Sequence, residues 1–360
     1  MATTAHKPLR FLILGTGGMA QVHTKALQAI AGVEVVAGVD TDTARVANFC
    51  DTHNIGKAFT SLDEALAWGE FDAACNVTPD WVHYPSTLAL LRASKPVLCE
   101  KPLATAYAHA AEMANLAKQQ GVINMVNLSY RGVAALQKAQ QLVAAGTIGT
   151  LRHVEASYLQ SWLTQPAWGE WREQSQWLWR LSTAHGSKGV LGDVGVHILD
   201  FLVYAAGSPV SEVSCRLKTF DKAPDNQIGE YPLDANDSAV MHLQLVNGAI
   251  GVVHATRFAT GHLNDLHLRL WGDLGGIEVS ATPAGNQCRI CHGENRLTAQ
   301  WETVECPPVE DVYTRFVAAL RGDATPDPDF AHGAALQQVL DLAIESDRQQ
   351  SISLPIGSAI

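Results

Sequence analysis

The chain has 360 residues, 47% of them hydrophobic, and a formal net charge of −11 at pH 7. Nucleic acids and anionic membranes are recognised through clustered Lys and Arg, so we expect neither as a partner. No run approaches the roughly 18 apolar residues of a membrane span, and the length allows two domains or one large barrel.

The N-terminal sequence MATTAHKPLRFLILG contains a strand-like apolar run close to its start. We interpret this run as core and not as a secretion signal, because no small-residue cleavage site follows it. Seven cysteines, an odd number scattered along the chain, fit a reduced environment better than a disulfide framework. Together these features predict a cytoplasmic location.

Strand and helix patterns alternate over the first 126 residues. Strands are predicted at 9–14, 33–39, 73–77, 96–99 and 122–126. Helical stretches lie between them, and one is opened by a capping box of Ser61 and Glu64 and runs to about Trp68. Strands that alternate with helices predict a doubly wound parallel sheet, which is an α/β fold.

The pattern changes after about residue 150. Strand-like segments follow one another without helices between them at 151–159, 238–245, 251–258 and 266–271. In the last of these, leucines alternate with His267, Arg269 and Trp271, which is typical of a sheet with two different faces. We expect residues 127–360 to form an α+β domain with a mostly antiparallel sheet and helices near the C-terminus.

A glycine-rich stretch, GTGGMA, stands between the first predicted strand and the first helix. Gly15 suits a tight turn, Gly17 lets a pyrophosphate approach the backbone, and the small Ala20 lets the helix pack on the strand. Asp40 ends the next strand, where a carboxylate accepts hydrogen bonds from a ribose 2′-hydroxyl and repels a 2′-phosphate. Residues 1–126 are thus predicted to bind NAD(P), with NAD favoured over NADP although Arg45 lies nearby. The predicted cofactor residues here are Gly15, Thr16, Gly17, Gly18, Met19, Ala20 and Asp40.

The stretch CRICH at residues 288–292 matches the C-x-x-C-H pattern of covalent haem attachment. It lies between strand-like segments, and on a strand Cys288 and Cys291 would point to opposite faces. We therefore interpret it as ordinary strand, and we predict no metal centre in the chain.

Two further polar loops follow predicted strands, NVTPDWVH at residues 76–83 and EKPLA at residues 100–104. Ligands of open α/β sheets bind outside the carboxyl ends of the strands, so both loops are expected near the cofactor. The ammonium of Lys101 would there polarise a substrate oxygen, although its context alone favours an ordinary surface lysine. The cofactor residues predicted from these loops are Thr78, Pro79, His83, Glu100 and Lys101.

A nearly all-apolar stretch, GVLGDVGVHILDFLVYAAG, has the composition of a helix buried on every side. Asp193, His197, Asp200 and Tyr204 interrupt it at positions that share one helical face. Burying such groups without partners costs several kcal/mol. The polar stripe is therefore either a satisfied internal network or the wall of a cavity that binds something polar.

Taken in order, GTGGMA, TPDWVH, EKP and GDVGVHILD resemble the motifs of the glucose–fructose oxidoreductase/inositol dehydrogenase/MocA family. The resemblance extends to the C-terminal PDPDF and GAALQQVLDLAIES and so covers nearly the whole chain. It implies a Rossmann domain followed by an α/β domain with a large open sheet that often serves oligomerisation. It also implies NAD(P)-dependent oxidation or reduction of sugars, cyclitols and related polyols.

The resemblance assigns roles to single residues. Lys101 matches the catalytic lysine of the EKP motif, and Asp193 and His197 match the Asp and His of the D-x-x-x-H motif. In the implied reaction His197 takes the proton of a secondary hydroxyl as general base, Lys101 stabilises charge on that oxygen, and Asp193 holds substrate and His197. Asp200 is expected to be a structural partner of this group, and Tyr204 to belong to the core.

Five tryptophans crowd into residues 162–179, together with Arg172 and Arg180. Aromatic faces suit the C–H surfaces of sugars, yet the core of the second domain is an equally good interpretation of most of them. Asn127, Tyr158 and Gln160 are assigned to substrate by their position in the family. The predicted substrate residues are Lys101, Asn127, Tyr158, Gln160, Arg180, Asp193 and His197.

Two other functions remain open at this point. Some relatives use tightly held NAD for transient oxidation during glycoside cleavage, and a non-catalytic NAD- and sugar-binding regulator would have the same fold. Our main interpretation is an NAD-dependent dehydrogenase that oxidises a secondary hydroxyl of a small sugar or polyol. We expect this enzyme to form a homo-oligomer, a dimer or tetramer, through the C-terminal sheet.

Overall fold

The computed structural model describes residues 7–357. Within them the chain divides into two compact units. The first comprises residues 7–129 and 310–337, and the second comprises residues 130–309 and 338–357.

Ten α-helices are found in the described part of the chain. They are α1 Gly18–Gln28, α2 Thr43–His53, α3 Leu62–Trp68, α4 Asp80–Arg92, α5 Tyr107–Gln120, α6 Ala134–Ala144, α7 Ser175–Leu178, α8 Val196–Ala206, α9 Val312–Arg321 and α10 Phe330–Arg348. In the first unit the strands are β1 Leu9–Leu14, β2 Val33–Val39, β3 Lys57–Phe59, β4 Ala73–Asn76, β5 Val97–Cys99 and β6 Asn124–Val126. In the second unit they are β7 Leu151–Leu159, β8 Val210–Lys218, β9 Gln227–Ile228, β10 Tyr231–Pro232, β11 Ser238–Leu245, β12 Ile250–Thr256, β13 Asp265–Gly272, β14 Gly275–Thr282, β15 Gly285–His292, β16 Glu302–Val304 and β17 Leu354–Pro355.

The first unit contains a six-stranded parallel sheet in the order β3-β2-β1-β4-β5-β6. This is the order of a dinucleotide-binding Rossmann fold, in which the strand order reverses between β1 and β4. The predicted doubly wound sheet is confirmed, and the Ser61 hydroxyl caps α3 by accepting from the Glu64 backbone at 3.2 Å. The sequence did not reveal α2 and β3.

Helix α9 completes the core of the first unit although it lies far along the chain. Its residues Val312, Phe316 and Val317 are buried with those of β1, and the rings of Phe11 and Phe316 meet edge to face at 6.0 Å. Residues 310–337 therefore fold with the N-terminal region, a placement that strand and helix patterns alone do not reveal.

The second unit is built on a nine-stranded sheet in the order β16-β15-β14-β13-β7-β12-β11-β8-β17. Every neighbouring pair is antiparallel except β7 and β12. The predicted mostly antiparallel sheet is confirmed, with α6 and α8 packed on one face. The CRICH stretch ends β15, its cysteines are free, and Cys288 and Cys291 are both buried.

Helix α8 is buried on nearly all sides, as its composition predicts. It is preceded by a π-helical turn over Leu191–Gly195, which contains Asp193. Such turns hold one more residue than an α-turn and are frequent at functional sites. No helix among residues 7–357 has the length and apolar character needed to cross a membrane.

Candidate active site

The glycine-rich loop connects the end of β1 to the start of α1. Gly15 has φ of +87°, and a Cβ built on it would lie 2.7 Å from the Val77 carbonyl oxygen, so only glycine fits there. Gly17 and Gly18 are exposed, and a Cβ on either would meet no atom within 4 Å. Gly17 is also the N-cap of α1, which no side chain caps. Bare backbone N–H groups at a helix N-terminus fit a pyrophosphate.

Asp40, at the end of β2, supports this loop. Its Oδ2 accepts hydrogen bonds from the Thr16 backbone N and hydroxyl, both at 2.9 Å, and its Oδ1 accepts one from Arg45 at 3.3 Å. Burial acts to raise the pKa of Asp40, but the hydrogen bonds from Thr16 and Asp42 and the charge of Arg45 hold it below its usual value. Asp40 is therefore an anion beside the glycine loop.

His83 braces the loops after β4 and β5. Its Nδ1 lies 2.8 Å from the Pro102 carbonyl oxygen and its Nε2 lies 2.8 Å from that of Thr78. Burial opposes a charge on this ring, yet Cys99, Asp80 and the Pro102 carbonyl raise the pKa of His83 to about 10. The ring thus donates to both loops. Pro79 is exposed at the start of α4.

Glu100 is at the centre of a buried polar network at the end of β5. Its Oε1 accepts from His23 Nε2 at 2.8 Å and from Asn127 Nδ2 at 2.5 Å, and its Oε2 accepts from the Lys101 backbone N at 3.1 Å. Burial acts to raise the pKa of Glu100, but the hydrogen bond and charge of His23 hold it at about 2. The network fixes the backbone from which the half-buried Lys101 side chain projects.

The polar stripe of the second unit divides into two parts. Asp200 and Tyr204 belong to an internal network: Asp200 accepts two hydrogen bonds from Arg131, at 2.8 and 2.7 Å. The guanidinium of Arg131 also lies 3.9 Å from the ring centroid of Tyr204, whose hydroxyl donates to Gln137. Asp200 thus pairs with Arg131, and Tyr204, which was expected in the core, is half-buried and hydrogen-bonded.

Asp193 and His197 form the other part of the stripe. Asp193 is 29% exposed and accepts a hydrogen bond at 3.0 Å from Arg257, whose side chain is fully buried. The ring of His197 meets that of Tyr130 edge to face at 5.0 Å. Lys101 belongs to the first unit, whereas Asp193 and His197 belong to the second.

A cluster of hydrogen-bonding side chains adjoins His197 through Tyr130. The hydroxyls of Tyr130 and Tyr158 are 2.5 Å apart, and Asn264 accepts from Tyr158 at 2.6 Å and from Gln160 at 2.9 Å. Burial raises the pKa of both tyrosines, so they are neutral hydroxyls. Tyr158 and Gln160 were predicted from the sequence, but Tyr130, Asn264 and Arg257 were missed because they occur in no recognised motif. Only the register of β7 beside β13 brings Tyr158 to the start of β13, next to Asn264.

The tryptophan-rich segment is divided between core and surface. Trp162 and Trp171 are buried with Leu178 and Leu181 in a hydrophobic cluster. Trp168 is 38% exposed and stacks on Trp177 at 6.2 Å. Arg180, predicted to bind substrate, lies over the ring of Trp179 at 4.6 Å, and its carbonyl accepts from Arg257 at 3.1 Å.

Comparison with known families agrees with this architecture. A family model described as an oxidoreductase family with an NAD-binding Rossmann fold matches residues 9–128. A second model, the GFO/IDH/MocA C-terminal domain, matches residues 136–278. The first unit is thus an NAD-binding Rossmann domain, and the glycine loop described above has the form that this cofactor requires.

Some of the proteins similar to this chain are named for sugars or sugar derivatives. The chain is 31% identical over 325 residues to 1,5-anhydro-D-fructose reductase of Ensifer adhaerens, covering 88% of this chain and 90% of that protein. It is 29% identical over 214 residues to levoglucosan dehydrogenase of Pseudarthrobacter phenanthrenivorans, covering 56% of this chain and about half, 53%, of that protein. A solved structure of levoglucosan dehydrogenase in complex with NADH superposes with a TM-score of 0.84 at 22% identity, covering 98% of this chain and all of that one.

Fold, motifs and relatives agree on one class, the NAD-binding oxidoreductases. Within that class the chain belongs to the Gfo/Idh/MocA family, and the resemblance seen in its motifs is confirmed.

Proposed function

We propose that this protein is an NAD-dependent dehydrogenase that oxidises a secondary hydroxyl of a sugar, sugar derivative or cyclitol. Cofactor binding is assigned to residues 1–126, and substrate binding and oligomerisation to residues 127–360 except 310–337, which pack with the first unit. The bound nicotinamide would accept the hydride, and the chain's own residues would bind the substrate and move its proton.

One observation carries the substrate class. Next to His197, the side chains of Tyr130, Tyr158, Gln160 and Asn264 are joined by hydrogen bonds into a single cluster. Neutral hydroxyls and amides both donate and accept, which suits a ligand with several hydroxyl groups. The names of two relatives, an anhydrofructose reductase and a levoglucosan dehydrogenase, support the same class.

Each catalytic residue has a proposed role. His197 accepts the proton of the reacting hydroxyl as general base. Lys101 stabilises negative charge on that oxygen, on a backbone held by Glu100. Asp193, held by Arg257, binds substrate and orients His197.

NAD is proposed over NADP because of Asp40. Its carboxylate lies beside the glycine loop, is 9% exposed and carries a negative charge. A 2′-phosphate there would be repelled, whereas a 2′-hydroxyl would donate to the carboxylate. Thr78, Pro79 and His83 are proposed to position the loop that borders the nicotinamide.

The test is NADH formation across monosaccharides, anhydrosugars, glucosides and inositols, with NAD and NADP compared on each. Lys101→Met and His197→Ala are assayed in parallel as negative controls, and circular dichroism checks that each variant is folded. We expect the wild type to turn over a polyol. Each variant should turn over the same polyol at least roughly a hundredfold more slowly.

Other outcomes would overturn the proposal. Release of free sugar from glucosides without net NADH would identify the glycoside hydrolase instead. Cofactor and sugar binding without turnover on any compound would identify a regulator.

We further propose that the open face of the nine-stranded sheet joins copies of this chain in a dimer or tetramer. Val240 and Ile250, on the face opposite to α6 and α8, are 42% and 56% exposed. Val240→Glu with Ile250→Glu should dissociate the assembly in sedimentation velocity. Val246→Glu, in the exposed turn after β11, is the matched control.

The free thiols are consistent with a cytoplasmic enzyme.

A further inference from the structure

Three side chains capable of binding a metal lie together around the start of β13. They are His262, Asp265 and His267, and one donor atom from each lies within 4.8 Å of the others. The closest pair is His262 Nδ1 and Asp265 Oδ2, at 2.7 Å. In the single chain all three residues are partly exposed.

The backbone holds these side chains in place. Asp265 and His267 are two positions apart on β13, so they project from the same face of a strand paired on both sides. His262 precedes the strand, and its backbone N donates to the Ala259 carbonyl at 3.0 Å. Its carbonyl accepts from the hydroxyl of Ser161, which is fully buried. Little rearrangement is therefore needed to bring the donors together.

The chemistry of the donors fits a zinc-class ion. Imidazole nitrogen and carboxylate oxygen bind Zn²⁺ at about 2.0–2.2 Å, and three protein ligands plus water complete a tetrahedral site. The nearby cation on the same strand face, Arg269, is paired with Glu155 at 2.8 Å and with Glu278 at 3.6 Å. The positive charge of Arg269 is thus balanced by two carboxylates, which reduces its repulsion of a bound cation.

We propose that His262, Asp265 and His267 bind one divalent transition-metal ion of the zinc class. The ion would link the loop before β13 to the strand itself. That loop carries Asn264, which accepts hydrogen bonds from Tyr158 and Gln160. The site goes beyond the proposed dehydrogenase function and does not depend on it.

The test is isothermal titration of tag-free, chelator-stripped full-length protein with ZnCl₂, repeated with CoCl₂ for its visible spectrum. The variants are His262→Ala, Asp265→Asn and His267→Ala. His242→Ala is the matched control, since His242 is an exposed histidine of β11 outside the cluster. Circular dichroism checks that each variant is folded.

Wild type and His242→Ala should bind one ion per chain. Outer-shell changes already cost roughly 10–100-fold in metal affinity, so loss of either histidine ligand should cost at least about tenfold. Zinc should raise the Tm of wild type and not that of His262→Ala, because a ligand that binds the folded state stabilises it. The proposal would be overturned if the wild type had no saturable site. It would also be overturned if His262→Ala and His267→Ala bound zinc as tightly as the wild type does. Neither readout involves turnover, so failure here leaves the dehydrogenase proposal intact.

Discussion

Arg257 Nη2 donates to Asp193 Oδ2 across 3.0 Å, and the guanidinium is fully buried while the carboxylate is 29% exposed. Replacing Arg257 with Met would remove the buried partner of the acid proposed to hold substrate. Leaving a fully buried charge without its partner typically costs about 3–5 kcal/mol of stability, and the loss here should be smaller because Asp193 is partly exposed to water. Urea unfolding should show this smaller loss, together with a lower kcat/KM.

The double variant Asp193→Asn/Arg257→Met should lose less unfolding free energy than the two single variants lose in sum, because the two groups interact directly. Arg172→Met is the control, since Arg172 lies exposed over Trp171 at 4.4 Å. Additive losses would mean that Arg257 does not act through Asp193.

Gly17→Ala separates cofactor binding from folding. The added methyl group meets no protein atom within 4 Å, so the Tm should fall only by the small cost of alanine at an N-cap. A pyrophosphate lying against the backbone there would be displaced, and calorimetry should show at least roughly tenfold weaker NAD binding. Gly56→Ala, whose methyl also meets nothing within 4 Å, should change neither quantity. Normal NAD affinity in Gly17→Ala would show that the glycine loop does not contact the pyrophosphate.

Asp40→Ala should raise the KM for NAD and reduce the preference over NADP. The variant loses hydrogen bonds to Thr16 and a charge that repels a 2′-phosphate. Initial rates with both cofactors measure the effect, and the substrate KM should change far less. Asp51→Ala, on the exposed side of α2, is the control. An unchanged cofactor preference would show that Asp40 does not face the ribose.

His197→Ala should lower kcat by about 10²- to 10⁴-fold, the usual contribution of a general base, while NAD still binds. In the wild type, oxidation should accelerate as pH rises through neutrality, since a histidine must be neutral to accept a proton. The pH profile of the variant should lack this step. If the variant kept a near-normal rate and the pH profile of the wild type, His197 would not be the general base and would serve only in packing.

The charge on His83 should make stability depend on pH. Its pKa rises from 6.5 in the unfolded chain to about 10, so its contribution is complete below pH 6.5 and is lost as pH rises towards 10. At most about 5 kcal/mol is involved, from 1.36 kcal/mol per pKa unit. The stability difference between wild type and His83→Gln should therefore shrink between pH 6.5 and 10. Exposed His153 replaced by Gln should show no such trend.

The sequence predicted elements better than it predicted contacts. Apolar periodicity is a local signal, so β1, β2 and β7 were predicted with their observed bounds. The helix α8 begins later than the predicted stretch, and Asp193 lies in the π-helical turn that precedes it. Arg257 and Asn264 carry no local signal, since their partners come from strand register and long-range packing. The cluster of His262, Asp265 and His267 was missed for the same reason, because a loop and a strand must fold together to form it.

The return of α9 to the first unit has a consequence for synthesis on the ribosome. Phe316 packs on Phe11 and completes the hydrophobic core around β1, yet it is translated after the whole nine-stranded sheet except β17. Domains usually fold as units in the order in which they emerge. Here the N-terminal sheet must wait for a late segment, so the middle of the chain has the first opportunity to fold. A nascent chain stalled before Val312 should be more sensitive to protease in its N-terminal region than one stalled after Gln337.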